Sequence, residues 1–462
     1  EIFRRDVFSF WEPLDEKFTE VMIHFAHCHR VQFLSLFWSR HLFAYLDYSD
    51  ELEKAPVTIA FQRANHATVR NLLMGRYSNM GKHYSALIRG RKGRLDVSFR
   101  NGKRVSGTKS PHLGRVCILG RGARPRFSPD GKLIVFDRKN PDGFYDVYLM
   151  NLKGHIVRSL TDGRSDFLHR HNGNATIHPS GKFVVFLSEE EHHPWLELFW
   201  LGDPGLGLFC NLWATDLEGR RFWKLTNIPI KRDISDATPV FGVVNPLFSP
   251  DGEWLLWTER FGHGGHHNWG RWRVKRARWM LKEGKPSLEG EEVLFVPRRG
   301  NYVTAMGFLD KSHLLIAGNL DGQHEYGMDQ YVLDLATRRL TNLHNTPKFW
   351  EEDAAITPDG RHIIYMSNAT SRYALNFDDP NWVAQPRERE YWLMSADKGH
   401  RERLTYFNEP SAPEYLGRRI IVAAADISPD GKWLVGTLGI DFGDESRAKI
   451  ALKVVLFELN IR

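Results

Sequence analysis

Phe127-Ser128-Pro129-Asp130-Gly131-Lys132 is a tight turn between two apolar stretches, and the chain repeats it. Further copies are Ile177-His178-Pro179-Ser180-Gly181-Lys182, Phe248-Ser249-Pro250-Asp251-Gly252-Glu253, Ile356-Thr357-Pro358-Asp359-Gly360-Arg361 and Ile427-Ser428-Pro429-Asp430-Gly431-Lys432. Phe308-Leu309-Asp310-Lys311-Ser312 is a worn sixth copy. Proline presets the first turn position and glycine takes the left-handed one, so each copy reads as a strand–turn–strand unit. Successive turns lie 48 to 71 residues apart, the spacing of units that must stack to bury their faces.

Each unit continues in the same way. After the turn come a second strand (133–137, 183–188, 254–258, 314–318, 362–367, 433–437) and a third (146–151, 212–216, 272–277, 330–334, 391–395, 452–458). Four units then close on a Leu-Thr pair, at Leu160-Thr161, Leu225-Thr226, Leu340-Thr341 and Leu404-Thr405. Four short strands per unit are the pattern of propeller blades. The last unit lacks a fourth strand, and 115–119 is an apolar strand without a unit of its own. A ring of six blades closes if that strand completes the sixth and hides its edge.

Two units carry a more specific likeness. Leu212-Trp213-Ala214-Thr215-Asp216-Leu217-Glu218-Gly219 with Lys224-Leu225-Thr226, and Trp392-Leu393-Met394-Ser395-Ala396-Asp397 with Arg403-Leu404-Thr405, follow variants of the Ser-Pro-Asp-Gly turn, His178-Pro179-Ser180-Gly181 and Thr357-Pro358-Asp359-Gly360. This arrangement resembles the TolB-like six-bladed β-propeller family, the PD40 repeats, over residues 112–462. The resemblance implies a mainly β fold of four-stranded antiparallel blades over residues 111–462. Its functions span scaffolds, sensors, carbohydrate lyases and the gating domains of peptidases, so fold alone does not choose among them.

Residues 1–110 differ in character. Phe18, Val21, Met22 and Phe25 recur at helical spacing, and a hairpin is expected from 84–88 and 95–99 around the basic turn Arg89-Gly90-Arg91-Lys92-Gly93-Arg94. The expectation is a small helical or α+β domain with a basic hairpin. Val31 to Leu46 is interrupted by Arg40 and His41, too short and too charged for a membrane span. Glu1 in place of methionine leads to the expectation of a processed or incomplete chain.

The composition, 42% hydrophobic and 26% charged over 462 residues, is that of a globular protein. Three cysteines with no CxxC pair exclude a disulfide framework, a cysteine zinc site and a c-type haem attachment. The net charge of +7 is local: residues 81–126 hold thirteen Lys or Arg against Asp96 alone, so that strip carries +12. Either it is a solvated hairpin and linker, or Arg91, Lys92 and Arg94 bind an anionic surface or glycan. Arg271-Trp272-Arg273-Val274-Lys275-Arg276 interleaves basic and aromatic residues, but its period of two fits a blade strand, and nucleic acid is not the expected partner.

Strand alternation puts the long second-to-third loops and the blade connectors on the rim opposite the Pro-Asp-Gly turns, where binding residues collect. His169, His171, His192, His193, His263, His266, His267, His324 and His344 fall there, with Glu351, Glu352, Asp353, Asp378 and Asp379. Imidazole and carboxylate suit a divalent metal or acid–base work, although exposed loop histidines are more often solvated, and no cofactor is the working expectation. No GxSxG elbow occurs, and no hydrolase domain follows the last blade, so a serine peptidase is not expected. The first expectation is therefore a non-catalytic scaffold subunit of a cell-envelope assembly, periplasmic or membrane-associated, holding protein partners through the long-loop face or the N-terminal domain. The second is a lyase-type enzyme on acidic glycans, with His169, His171, His192, Tyr415 and Arg418 as candidates.

Overall fold

A computed structural model of the chain describes residues 7–28, 39–90, 104–105, 107–164, 167–168, 170–191, 199–231, 236–263, 270–324, 327–374, 385–397, 399–443 and 448–461. The chain divides into two compact units, Glu1–Phe99 and Arg100–Arg462. Among the described residues no helix is long and apolar enough to cross a membrane.

The first unit is helical, with helices Glu12–Cys28, Asp50–Lys54, Val57–Leu73 and Asn79–Gly90. Ser49 caps the second of these, its hydroxyl accepting the Leu52 N–H at 3.2 Å. Val7, Phe8, Leu52, Ala60 and Ala64 form a small core. The expected hairpin is corrected here: 84–88 lies within helix Asn79–Gly90, and 95–99 lies outside the described residues. Local capping outweighed the strand-like composition. Ser78 Oγ accepts the Gly81 N–H at 2.9 Å, and Glu12 Oε1 accepts that of Met80 at 2.9 Å. Gly81 lies so close to the Leu42 carbonyl that any Cβ there would collide with it.

The second unit is a six-bladed propeller of antiparallel sheets. Blade 1 holds Ala123–Phe127, Leu133–Lys139, Tyr145–Asn151 and Ile156–Ser159; blade 2 holds Asn172–Ile177, Phe183–Glu189, Cys210–Asp216 and Phe222–Lys224. Blade 3 holds Gly242–Phe248, Trp254–Gly262, Arg271–Lys282 and Lys285–Phe295, and blade 4 holds Val303–Phe308, His313–Gly318, Asp329–Asp334 and Leu340–Asn342. Blade 5 holds Glu351–Ile356, His362–Ser367, Glu390–Ser395 and Arg401–Arg403. Blade 6 holds Arg419–Ile427, Trp433–Asp441 and Ile450–Leu459, and Leu113–Arg121 completes it, carrying the two-residue strand Arg104–Val105 at its edge. The ring closes as the spare strand implied.

Four of the six turns share one chemistry. Ser128 Oγ donates to Asp130 Oδ1 at 2.6 Å and accepts the Leu133 N–H at 2.9 Å, with Gly131 at φ +68°. Ser249–Asp251, Thr357–Asp359 and Ser428–Asp430 repeat the first bond at the same length. Neighbouring blades interlock through apolar residues, as where Val135, Val147 and Leu149 of blade 1 meet Ala175, Val184 and Phe186 of blade 2. The basic-aromatic strand of blade 3 buries Trp272, Val274, Ala277 and Trp279. Its charges are spent within the blade, Lys275 on Glu259 at 3.1 Å and Arg276 on Glu292 at 2.8 Å.

Three of the four Leu-Thr pairs are clamps. Thr161 Oγ1 donates to Asp146 Oδ1 at 2.6 Å and accepts the Val147 N–H at 2.9 Å, tying the fourth strand's end to the start of the third. Thr226 does the same with Asn211 and Leu212, and Thr405 with Glu390 and Tyr391. Glu390 is 1% exposed. Thr405→Val keeps the shape and removes a donor from a buried carboxyl, so it is expected to cost about 1–3 kcal/mol in a urea melt. An unchanged midpoint would contradict the clamp.

Candidate functional site

The innermost strand of every blade breaks register once along its length: at Ala123/Arg126, Gly173/Thr176, Val244/Leu247, Ala305/Gly307, Glu352/Ala355 and Ala423/Ala425. In four blades the bulged residue is left-handed without being glycine: Arg124 (φ 49°), Asn174 (48°), Asn245 (52°) and Asp353 (53°). Asn and Asp tolerate that region; an arginine there is costly. Bulges re-aim side chains, and conformations held against local preference cluster at functional sites.

Neighbouring blades hold these residues in place. Thr437 of blade 6 accepts the Arg124 N–H at 2.8 Å, Asp137 of blade 1 accepts that of Asn174 at 2.8 Å, and Thr258 of blade 3 accepts that of Ala305 at 2.8 Å. All three acceptors are the fifth residue of a second strand. Asn174 donates to Asn245 at 3.0 Å, and Asn245 to Thr304 at 2.8 Å, so polar links run from blade 2 to blade 4.

These residues line a cavity of about 810 Å³ on the propeller axis. Its walls come from the starts of first and third strands and the ends of second strands, so it lies towards the long-loop rim and away from the Pro-Asp-Gly turns. Leu201, Leu206 and Leu208 of the blade 2 insertion also border it, as do Trp272, Tyr302 and Trp350.

Its electrostatics are uneven. Arg124, Arg126, Arg260, Arg387 and Arg389 face two acids, Glu352 and Asp353. Arg124 forks onto Asp137 at 2.8 and 2.9 Å; burial pulls the guanidinium down, and Asp137 with Asp203 outweighs it, leaving it raised. Burial lowers Arg126, which lies 4.0 Å from Asp426. Arg260 falls to about 10 through burial. Arg389 falls to about 9, through burial and then the neighbouring Arg387 charge. Glu352 accepts the Trp350 Nε1–H at 2.8 Å, and burial followed by the Asp353 charge lifts it to about 7. Burial raises Asp353 as well, against the pull of an Ala424 hydrogen bond and of Arg389, Arg124 and Arg126.

None of the described histidine candidates lines this cavity. His171 is 1% exposed, accepts the Tyr145 N–H at Nδ1 and packs edge-on against Phe144. His263 and His324 are exposed, Tyr415 is half-buried, and Arg418 is exposed beside Phe442. His344 is buried 2.7 Å from Glu351, within the blade 4–5 clamp. His169, His192, His193, His266, His267, Arg91, Lys92 and Arg94 lie outside the described residues, as do Asp378 and Asp379. Among the described residues no three His, Cys, Asp or Glu side chains are placed to share a metal ion. The basic strip is divided between the units: Lys82 and Arg89 belong to helix Asn79–Gly90, while Arg115 pairs with Glu458, and Arg124 and Arg126 line the cavity. Sequence reading passed over Arg124, Arg126 and Arg389. The usable signal was a polar residue four places before the turn's first residue, at Arg124, Asn174, Asn245 and Asp353.

No family model matches the chain. A stretch of 142 residues is 28% identical to "Uncharacterized peptidase YuxL" of Bacillus subtilis (strain 168), covering 30% of this chain and 17% of that relative. Similar solved structures include TolB from Acinetobacter baumannii (TM-score 0.42, 14% identity, 71% of this chain and 64% of that one). Others are an oligogalacturonate lyase in complex with manganese (0.42, 14%, 78% and 98%) and a puromycin hydrolase (0.41, 15%, 71% and 43%). The expectation of a non-catalytic scaffold subunit is corrected by the first of these findings: the curated relative matched over those 142 residues bears the name of a peptidase.

The raised carboxyls have a consequence for stability. A carboxyl that holds its proton more tightly when folded loses stability as pH climbs from the unfolded value, about 4, to the folded one. Removing either charge, by Glu352→Gln or Asp353→Asn, is therefore expected to raise the melting temperature by roughly 2–4 °C at about pH 8 and by less at about pH 4. A gain independent of pH would contradict the assignment.

Proposed function

We propose that the chain is an enzyme propeller of TolB-like build whose axial cavity is the reaction chamber, with Glu352 and Asp353 as its proton-transferring pair. The observation that carries this is two adjacent carboxyls, one titrating near 7, set into a cavity of ligand size. Enclosed pockets of roughly 300–1,000 Å³ with convergent polar groups and displaced pKa values are where substrates are usually handled. A carboxyl near neutrality gives and takes a proton with equal ease, which both hydrolysis and elimination need. Burial, and after it the Asp353 charge, hold Glu352 in that range, and the left-handed backbone of Asp353 sets its side chain on the cavity wall.

The stretch shared with a peptidase-named relative favours a second reading. There the cavity receives a peptide, and bond breaking occurs on groups outside it.

Turnover of uronate oligomers, followed by the absorbance of unsaturated product, and of short peptides, followed by amine release, separates the two. On the first reading Glu352→Gln lowers kcat by about 10²–10⁴ and abolishes the limb of the pH–rate profile near 7. Activity that Glu352→Gln and Asp353→Asn leave intact would overturn it.

A further inference from the structure

The arginines of the cavity are not equally provided for. Arg124 has Asp137, and Arg126 faces Asp426. Arg389 is only 7% exposed, its Nε has no hydrogen-bond partner among the described residues, and no ion pair holds it there. Its guanidinium lies over the Trp350 ring, 4.0 Å from the centroid. Glu352 and Asp353 are close enough to feel its charge but do not pair with it. A buried cation without an ion pair is expensive, and the state that offsets its cost is one with an anion beside it.

The surroundings narrow that anion. A guanidinium stacked on a ring presents its N–H groups edgewise, a fork that matches the two oxygens of a planar carboxylate. The two acids in the same chamber disfavour a dianion. Tyr302 and Trp272 supply aromatic wall for the body attached to the carboxylate.

We propose that Arg389, with Arg126, which lines the same cavity and like it acts on Asp353, forms a subsite for a single carboxylate, so that the substrate class is a carboxylate-bearing molecule. This rests on reading the cavity as a substrate chamber. It differs from the acid–base proposal in naming a group that binds and does not react. The carboxylate comes from one of two sources, a uronate residue or the free C-terminus of a peptide.

Calorimetric titration of the full chain with paired probes tests it: a uronate trimer against its methyl ester, and a tripeptide acid against its amide. One acid is expected to bind at least roughly tenfold tighter than its neutral twin. Arg389→Met should erase that preference, and Arg389→Lys should retain part of it because charge remains while the fork is lost. Circular dichroism confirms that both variants fold. Equal binding of acid and neutral twin in both pairs, no binding by either acid, or an undiminished preference in Arg389→Met overturns the subsite. Stronger competition by inorganic phosphate than by the acids overturns it too. Acid preference without turnover of any probe leaves the subsite standing and removes the acid–base reading. Turnover without acid preference does the reverse.

Discussion

Closure of the ring is the constraint on which everything else rests. Leu113–Arg121 pairs antiparallel with Ile450–Leu459, so a segment just before blade 1 completes the blade that ends the chain. The seam is apolar: Phe127, Ile134 and Phe136 of blade 1 pack on Val435, Val454 and Leu456 of blade 6. Without that pairing two sheet edges would be exposed, and the inner strands would have no common axis to face. Thr437 of blade 6 fixes the Arg124 backbone of blade 1, so the seam also sets one of the cavity's arginines.

Around this ring the propeller separates two polar systems. At the outer edge, the Thr161, Thr226 and Thr405 clamps satisfy buried carboxyl and amide oxygens, and they hold the blade together. At the axis, Arg389 lacks an ion pair among the described residues, and Glu352 and Asp353 are driven towards their protonated forms. The first system is what a stable fold needs. The second raises the energy of the empty protein, which is the usual mark of a place kept for a ligand. Glu351 and Glu352 show the separation within one strand: consecutive residues point to opposite faces, so Glu351 joins the His344–Thr346 clamp while Glu352 reaches the cavity.

The propeller was legible because its information is local and repeated. Ser128-Pro129-Asp130-Gly131 specifies its own turn, and the spare strand at 115–119 named its partner by elimination. The long-loop rim was legible for the same reason, since strand alternation needs no coordinates. The cavity residues were harder. Arg124 and Arg126 read as part of a basic strip, and Arg389 as one more charge in a long loop, because nothing in a linear sequence says that they meet across an axis. Histidines drew attention through their number, yet His171 serves as a backbone acceptor between blades. The expected strand at 84–88 failed because Ser78 and Glu12 cap a helix there, the second from a distant part of the chain.

The most direct measurement is the position of a bound carboxylate ligand in a crystal of the complex. It is expected on the propeller axis, its carboxylate against Arg389 and its body against Tyr302 and Trp272, within reach of Glu352. A ligand seated instead on the Pro-Asp-Gly rim, or among outer loops with the axial cavity unoccupied, would contradict that expectation.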